Sequence, residues 1–287
     1  MSEKIETLLK ESRTYQPSAK TKAAAHIQDY ETEYKKSIAD PEAFWDRVAK
    51  ELDWFTPWNK VLEWNYPFAK WFVGATCNIS YNCLDRHVKN GRKNKVAVIW
   101  VGENDTERVF TYGQLYRQVN RCANALKKLG LKKGDRVTIY LPKVPEQIVA
   151  MLACARIGAI HSVVYSGFSA PALASRIHDA ESHLVITADV GYDRGKVIPL
   201  KSVVDEALKT CPTVEHVIVV RRQKPEVSLA APKEIDWHEW LKGESAECEA
   251  VKLDAEDPLY ILYTSGTTGK PKGVVHVHGG YMVGTYI

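Results

Sequence analysis

Leu259-Tyr260-Ile261-Leu262-Tyr263-Thr264-Ser265-Gly266-Thr267-Thr268-Gly269-Lys270-Pro271-Lys272-Gly273-Val274-Val275-His276 is the stretch around which the rest of the chain is organised. Residues 259–263 are an apolar run of strand length, rich in aromatic and branched side chains and preceded by Pro258, which predicts a buried strand. A segment of hydroxyls, glycines and lysines follows, and a second short apolar run, residues 274–277, leads away. Gly266, Gly269 and Gly273 let a ligand come close to the main chain, whose N–H groups in such a loop form an anion-binding concavity. Thr264, Ser265, Thr267 and Thr268 add hydroxyl donors, and Lys270 and Lys272 add positive charge. The set suits a polyphosphate. It is not a Walker A loop, because only two residues separate Gly266 from Gly269 and Pro271 stands where that motif continues with Ser or Thr. A surface turn of small polar residues is the alternative reading.

Upstream of this stretch, strand and helix patterns alternate. Residues 96–101, 137–141, 160–165, 184–187 and 217–220 predict strands. Thr111 and Gln114 form a capping box, after which Leu115, Val119, Cys122, Leu126 and Leu129 share one helical face up to Gly130. Residues 146–157, 171–180 and 203–209 predict further helices. Apolar strands alternating with helices predict an α/β fold of mostly parallel sheets flanked by helices. Ligands on such sheets sit beyond the carboxyl ends of the strands, where residues 166–169, 188–196 and 264–273 fall. Residues 222–257 read as a long surface connection with one short amphipathic piece around Trp237 and Trp240.

Residues 1–78 read as a helical, Trp-rich N-terminal extension, and residues 79–287 as a domain that stops after the loop. Asp40 is the N-cap and Pro41 the first residue of one of its helices. Trp45, Trp54, Trp58, Trp64 and Trp71 suggest packing against a neighbouring domain. Residues 279–287 resemble the first turns of a helix with no cap and much apolar surface, which predicts a truncated chain.

Composition narrows the function classes. Across 287 residues, hydrophobic content is 45% and charged content 26%, as in soluble globular proteins. A net charge of +4 does not argue for nucleic acid. There is no signal core and no apolar run of about 18 residues, so a cytoplasmic protein without membrane association is expected. Cys122 and Cys154 fall in apolar helical patterns and read as core residues, and Cys77, Cys83 and His87 match no zinc spacing. His276 and His278 alternate with valines and would share a strand face, either as a metal pair or as packing residues.

Residues 263–276 resemble the signature loop of the adenylate-forming superfamily, which includes acyl-CoA synthetases, luciferases and peptide-synthetase adenylation domains. Asn82-Cys83-Leu84-Asp85-Arg86-His87, Val144-Pro145-Glu146, residues 151–163, Gly167-Phe168-Ser169 and residues 184–189 resemble, more narrowly, the AMP-forming acetate–CoA ligases. The likeness runs from about residue 40 to the last residue, and propionate ligases are close relatives.

The resemblance implies the incomplete large N-terminal domain of the adenylate-forming fold and two half-reactions. Acetate attacks the α-phosphate of ATP to give acetyl-adenylate and pyrophosphate. The CoA thiol then attacks the acyl carbon and AMP leaves. By the same likeness the loop 264–273 steadies the β- and γ-phosphates, with Lys270 as charge partner and Lys272 either in contact or solvated. Gly167, Arg194, Gly195 and Lys196 match the CoA-nucleotide site. There the chain departs from the family, whose two basic positions fall on Asp193 and Lys196, so the displaced Arg194 would take over. A plain turn remains the other reading of Gly167. In the family the acetate pocket, the adenine and ribose contacts, the acidic residue supporting Mg2+ and the mobile C-terminal domain follow the loop. The implied cofactors are therefore ATP and Mg2+, with CoA as co-substrate, and no catalytic residue or metal ligand is placed in this chain. The expected partners are acetate, ATP and CoA. A half-enzyme completed by a separately encoded C-terminal half and a non-catalytic nucleotide- or CoA-binding module are the competing readings.

Overall fold

The computed structural model describes residues 13–103, 105–224, 226–264 and 271–287. The chain divides into two compact units, Met1–Arg47 and Val48–Ile287. In the first, Ser18 and Asp29 cap the helices Ala19–Ala24 and Tyr30–Ala39 by accepting the N–H groups of Thr21 and Thr32. Asp40 caps the helix Pro41–Ala49 as expected, its carboxylate accepting the Ala43 N–H at 2.9 Å.

The helical reading of residues 1–78 ends at Ala49. Residues 60–73 form an antiparallel hairpin, Lys60–Asn65 against Phe68–Val73, with Leu62 opposite Trp71. Pro67 cannot sit inside a helix, and the branched and aromatic residues on either side of it pair across the turn instead. Trp54 and Trp58 pack on the buried Phe72, each with ring centroids 5.2 Å away. Trp64 is 64% exposed, so the tryptophans do not act as one packing stripe.

The main body runs α1 (Tyr112–Lys128), β1 (Arg136–Tyr140), α2 (Pro145–Ile157), β2 (Ile160–Val163), α3 (Ala170–Ala180), β3 (Leu184–Ala188), α4 (Leu200–Leu208), β4 (His216–Val220), β5 (Glu234–Asp236), α5 (Trp237–Leu241), β6 (Pro258–Thr264), β7 (Lys272–Val277) and α6 (His278–Gly284). The seven strands lie in the order β5-β4-β3-β1-β2-β6-β7. All neighbours are parallel except β6 and β7. The capping box of α1 is formed: Gln114 N–H donates to Thr111 Oγ1 at 3.2 Å and Thr111 N–H to Gln114 Oε1 at 2.8 Å. The faces of β1, β3 and β4 are filled by Ile139, Val185, Ile186 and Ile218, against Leu126, Leu173 and Ile177 from the helices, with Cys122 and Cys154 in the same core.

Two expectations change within this body. The segment 222–257 contributes an edge strand, β5, which is too short for any periodicity to reveal. β6 forms as predicted but is not a buried strand, because only Leu259 is buried along it and Leu262 is 47% exposed. An apolar basin of about 380 Å³ lies against that face, lined by Met151, Leu152, His161, Tyr260, Leu262 and Tyr281 among others.

Chain direction defines the crevice. β1 leads through α2 to β2 on one side, and its other neighbour β3 leads through α4 to β4 on the opposite side. The carboxyl ends of β1 and β3 therefore flank the point where the winding reverses, the usual ligand position on such sheets.

Candidate functional site

Three loops meet at the carboxyl edge because of Tyr140, the last residue of β1. Its buried hydroxyl lies within donating distance of two carbonyls of the loop after β2, those of Ser166 at 2.9 Å and Phe168 at 2.7 Å. Burial pushes that phenol up to about 12, so it stays a donor. Thr187 of β3 donates to the Tyr140 carbonyl at 3.0 Å, tying the third strand end to the same residue. At Gly167 a Cβ would come within 2.4 Å of the Tyr165 ring, the far end of an exposed side chain that could swing away. The glycine lets that ring, 66% exposed and edge-on to Phe168, lie against the loop. Tyr165 carries no motif signal and was missed by sequence reading.

The segment after β3 is a hairpin, not an open loop. Gly191–Asp193 pairs with Lys196–Ile198, with Asp193 opposite Lys196 and Tyr192 opposite Val197. Arg194 and Gly195 are its two-residue turn, at φ 50° and 74°, the doubly positive geometry that twists correctly for a tight hairpin. Arg194, Gly195 and Lys196 are all exposed, so the tip presents two cations. The base is fixed by the buried Asp189, whose carboxylate accepts the N–H groups of Val190 at 2.7 Å and Arg222 at 2.9 Å. Arg222, just beyond β4, donates to the Val190 carbonyl at 3.1 Å, and its guanidinium covers the Tyr192 ring at 4.8 Å. Burial lowers its pKa from the ordinary arginine value. Arg222 also lines a cleft of about 470 Å³ with Arg221, Lys224 and His238. Residue order gives no hint of this contact, which exists only because β3 and β4 are neighbours.

At the end of β6, Thr264 pairs with Lys272 of β7, and both are exposed. Ser265, Gly266, Thr267, Thr268, Gly269 and Lys270 lie outside the described residues. Their flanks are well defined. Tyr263 Oη lies 2.7 Å from Asp179 Oδ2, and the Arg176 guanidinium sits 4.4 Å from the Phe168 ring centre and 5.6 Å from that of Tyr263. Arg176 thus bridges the loop after β2 and the strand that enters the signature segment. Gly273 faces Tyr263 across the ladder, where a Cβ would meet Ile261 Cγ2 at 3.0 Å and Tyr263 Cε1 at 3.3 Å.

The two C-terminal histidines separate. His276 stays on β7 and stacks on Tyr260, centroids 4.5 Å apart and planes 13° apart. His278 does not share its strand face. It opens α6 and is fully buried, because Gly279 continues into a helical turn packed on Ala255. Among the described residues no group of three or more His, Cys, Asp and Glu could hold a metal ion. No helix among them is long and apolar enough to cross a membrane. Donors, cations, carboxylates and aromatic faces make up the described edge.

Known proteins share the sequence and the fold of this chain. Residues 84–287 match the family model described as AMP-binding enzyme, and residues 30–83 that described as acetyl-coenzyme A synthetase N-terminus. An acetyl-coenzyme A synthetase of Deinococcus radiodurans is 50% identical over 286 residues, 99% of this chain and 44% of its own length. One from Methanothrix thermoacetophila is 56% identical over 244 residues, 84% of this chain and 37% of its own. The solved acetoacetyl-CoA synthetase from Streptomyces lividans superposes with a TM-score of 0.85 at 28% identity, covering 95% of this chain and 44% of that one. The chain thus spans less than half the length of these relatives. On the family matches, which together run from residue 30 to residue 287, the chain belongs to the AMP-binding enzyme family, as a member matching the N-terminal portion of acetyl-coenzyme A synthetases.

Proposed function

We propose that this chain supplies the pyrophosphate loop and part of the CoA site of an AMP-forming acetate–CoA ligase. In that reading the whole enzyme joins acetate to ATP, releases pyrophosphate, and passes the acetyl group to CoA. The observation that carries the proposal is the shared edge. Thr264, the carboxyl end of β6, lies at the same edge of the parallel strands as the end of β3 that leads into the 191–198 hairpin and the end of β2 that leads into the Tyr165–Phe168 loop. A nucleotide polyphosphate and a second nucleotide can therefore meet across one crevice.

Thr264, Ser265, Gly266, Thr267, Thr268, Gly269, Lys270 and Lys272 take the β- and γ-phosphates in this proposal. Gly167, Arg194, Gly195 and Lys196 take the CoA nucleotide, with Tyr165 as an aromatic face for its base. In this reading, as the resemblance implies, Mg2+ and the acyl group are held by parts of the whole enzyme that come after the signature loop. The division near residue 78, between an N-terminal extension and the AMP-binding domain, is part of the reading, and the two family models meet close by, between residues 83 and 84. A cytoplasmic setting fits these small-molecule substrates. The relative named for acetoacetate keeps other short acyl groups open as substrates.

The test is acetate-dependent exchange of labelled pyrophosphate into ATP, run with this chain alone and with the C-terminal portion of the Deinococcus radiodurans relative added. No exchange alone and measurable exchange with both parts is the expected result. Exchange by the chain alone, or none under both conditions with a folded partner, would count against the proposal.

A further inference from the structure

The tip of the 191–198 hairpin is already in contact with a carboxylate. Arg194 and Gly195 both have positive φ, so the turn aims the Arg194 N–H away from its own ladder. That N–H donates to Oε1 of Glu103. An outward N–H on a left-handed turn is a natural receiver for an oxyanion, and here the chain's own side chain holds it.

Glu103 is delivered by a braced element. It lies at the tip of the antiparallel ribbon Val96–Val101 and Glu107–Thr111. Trp100 Nε1 on that ribbon donates to the Lys143 carbonyl at 2.7 Å, in the loop after β1. Arg108 Nη1 bonds the buried Glu146 carboxylate at 2.7 Å, at the start of α2. Both anchors belong to the strand end next to β3, so the ribbon spans the same crevice as the hairpin.

The charges at the tip cancel. Arg194 and Lys196 bring two positive charges, and Asp193 and Glu103 bring two negative ones. Asp193 sits directly opposite Lys196. Arg222, the cation at the base of the hairpin, is engaged with Tyr192, which pairs with Val197 on the other face of the ribbon. A phosphate monoester carries close to two negative charges at neutral pH, and a tip with no net charge and a filled N–H offers it little.

We infer that Glu103 is a specificity-determining residue: its carboxylate occupies the anion-receiving N–H of Arg194 and makes the chain indifferent to whether its thiol-bearing nucleotide ligand carries a free phosphate monoester. This rests on the reading of the hairpin as part of the CoA site. Recognition then falls to the groups that the two forms of the ligand share, so the acceptor class widens to pantetheine nucleotides with or without that monoester.

CoA and dephospho-CoA differ by one phosphate monoester and test the inference directly. Calorimetric titrations of both ligands into the wild-type chain, E103Q and E103A give the ratio of their affinities. The wild type is expected to bind the two within about twofold, and E103A to prefer CoA by about fivefold or more, the scale of one charge removed beside a screened dianion. E103Q keeps an acceptor oxygen without the charge and falls between. Amide hydrogen exchange at Arg194, slow in the wild type, speeds up in E103A whatever ligand is present. A wild-type preference for CoA above about fivefold, a ratio unmoved by E103A, or unchanged exchange at Arg194 each overturns the inference. If both ligands bind but the ratio stays fixed, Glu103 alone is misassigned. If neither binds any variant, the CoA reading of the hairpin falls and the inference falls with it.

Discussion

Acidification from about pH 7.5 to about pH 5 is expected to remove roughly 4 kcal/mol of folding stability, through two buried histidines. His161 is 4% exposed and His278 fully buried. Among the described residues, Nδ1 of His161 and both ring nitrogens of His278 have no hydrogen-bond partner. Burial drives His161 down to about 3, helped by the neighbouring His278. Burial also drives His278 down to about 4, with Asp257 pulling upward and Lys133 pushing down. In the unfolded chain each imidazole titrates near its ordinary value of about 6.5. The folded value lies below the unfolded one. Stability is therefore complete above about pH 6.5 and drains as pH falls toward 4 and 3, because the unfolded chain binds protons that the folded chain refuses. One and a half pH units below 6.5, each histidine costs roughly 2 kcal/mol at about 1.4 kcal/mol per unit. Carboxylates titrate mainly at lower pH, so this window belongs to the imidazoles. Urea unfolding followed by tryptophan fluorescence, at several pH values across the window, measures the loss. His161→Phe keeps a planar ring without a titrating nitrogen and should abolish about half of it. A midpoint flat across the window, or a variant that loses as much stability as the wild type, would refute the reasoning.

Asp85→Ala leaves the Arg156 guanidinium, 1% exposed and otherwise held at 2.7 Å and 2.9 Å by that carboxylate, without its counter-charge. The expected cost is about 3–5 kcal/mol in urea unfolding, and a loss below about 1 kcal/mol would mean the pair adds little. Gly273→Ala pushes a methyl against Ile261 and Tyr263 and should destabilise by about 1–3 kcal/mol; an unchanged melting temperature would show that β7 simply shifts. Tyr140→Phe removes the donor to Ser166 and Phe168, at about 1 kcal/mol of stability, and should weaken CoA binding while leaving the fold intact by circular dichroism. Equal CoA affinity in the variant would separate the β2 loop from the site. The double substitution Arg194→Ala and Lys196→Ala should lower the affinities for CoA and dephospho-CoA alike, several-fold, because the tip meets the nucleotide through groups the two ligands share; unchanged titration heats would remove the hairpin tip from the site.

Much of the fold was legible because its elements obey local rules. The Thr111–Gln114 capping box, the helix stops at Gly130 and Gly158, and the apolar runs of β1, β3 and β4 each carry their own signal within a few residues. Elements that depend on partners were not. β5 is three residues long and exists by pairing with β4. The hairpin 60–73 was obscured by Trp64 and Trp71, whose spacing of seven suits one helical face. His278 looked like a strand residue until α6 formed around it.

Residue order by itself determined the chemistry of the edge: a glycine, hydroxyl and lysine segment entering after one strand, and a polar Arg-Gly-Lys segment after another. These are properties of side chains and short spacings, and they survive without coordinates. Only the tertiary structure decided what those segments face. Tyr140 gathers the ends of β1, β2 and β3 because parallel neighbours end at one edge, and Arg222 meets Tyr192 because β4 lies beside β3. Glu103 reaches Arg194 across 91 positions of sequence because its separate two-stranded ribbon is tied by Trp100 and Arg108 to the loop after β1 and the start of α2. Local chemistry is written along the chain, but a contact between distant residues is written in the order of strands across the sheet.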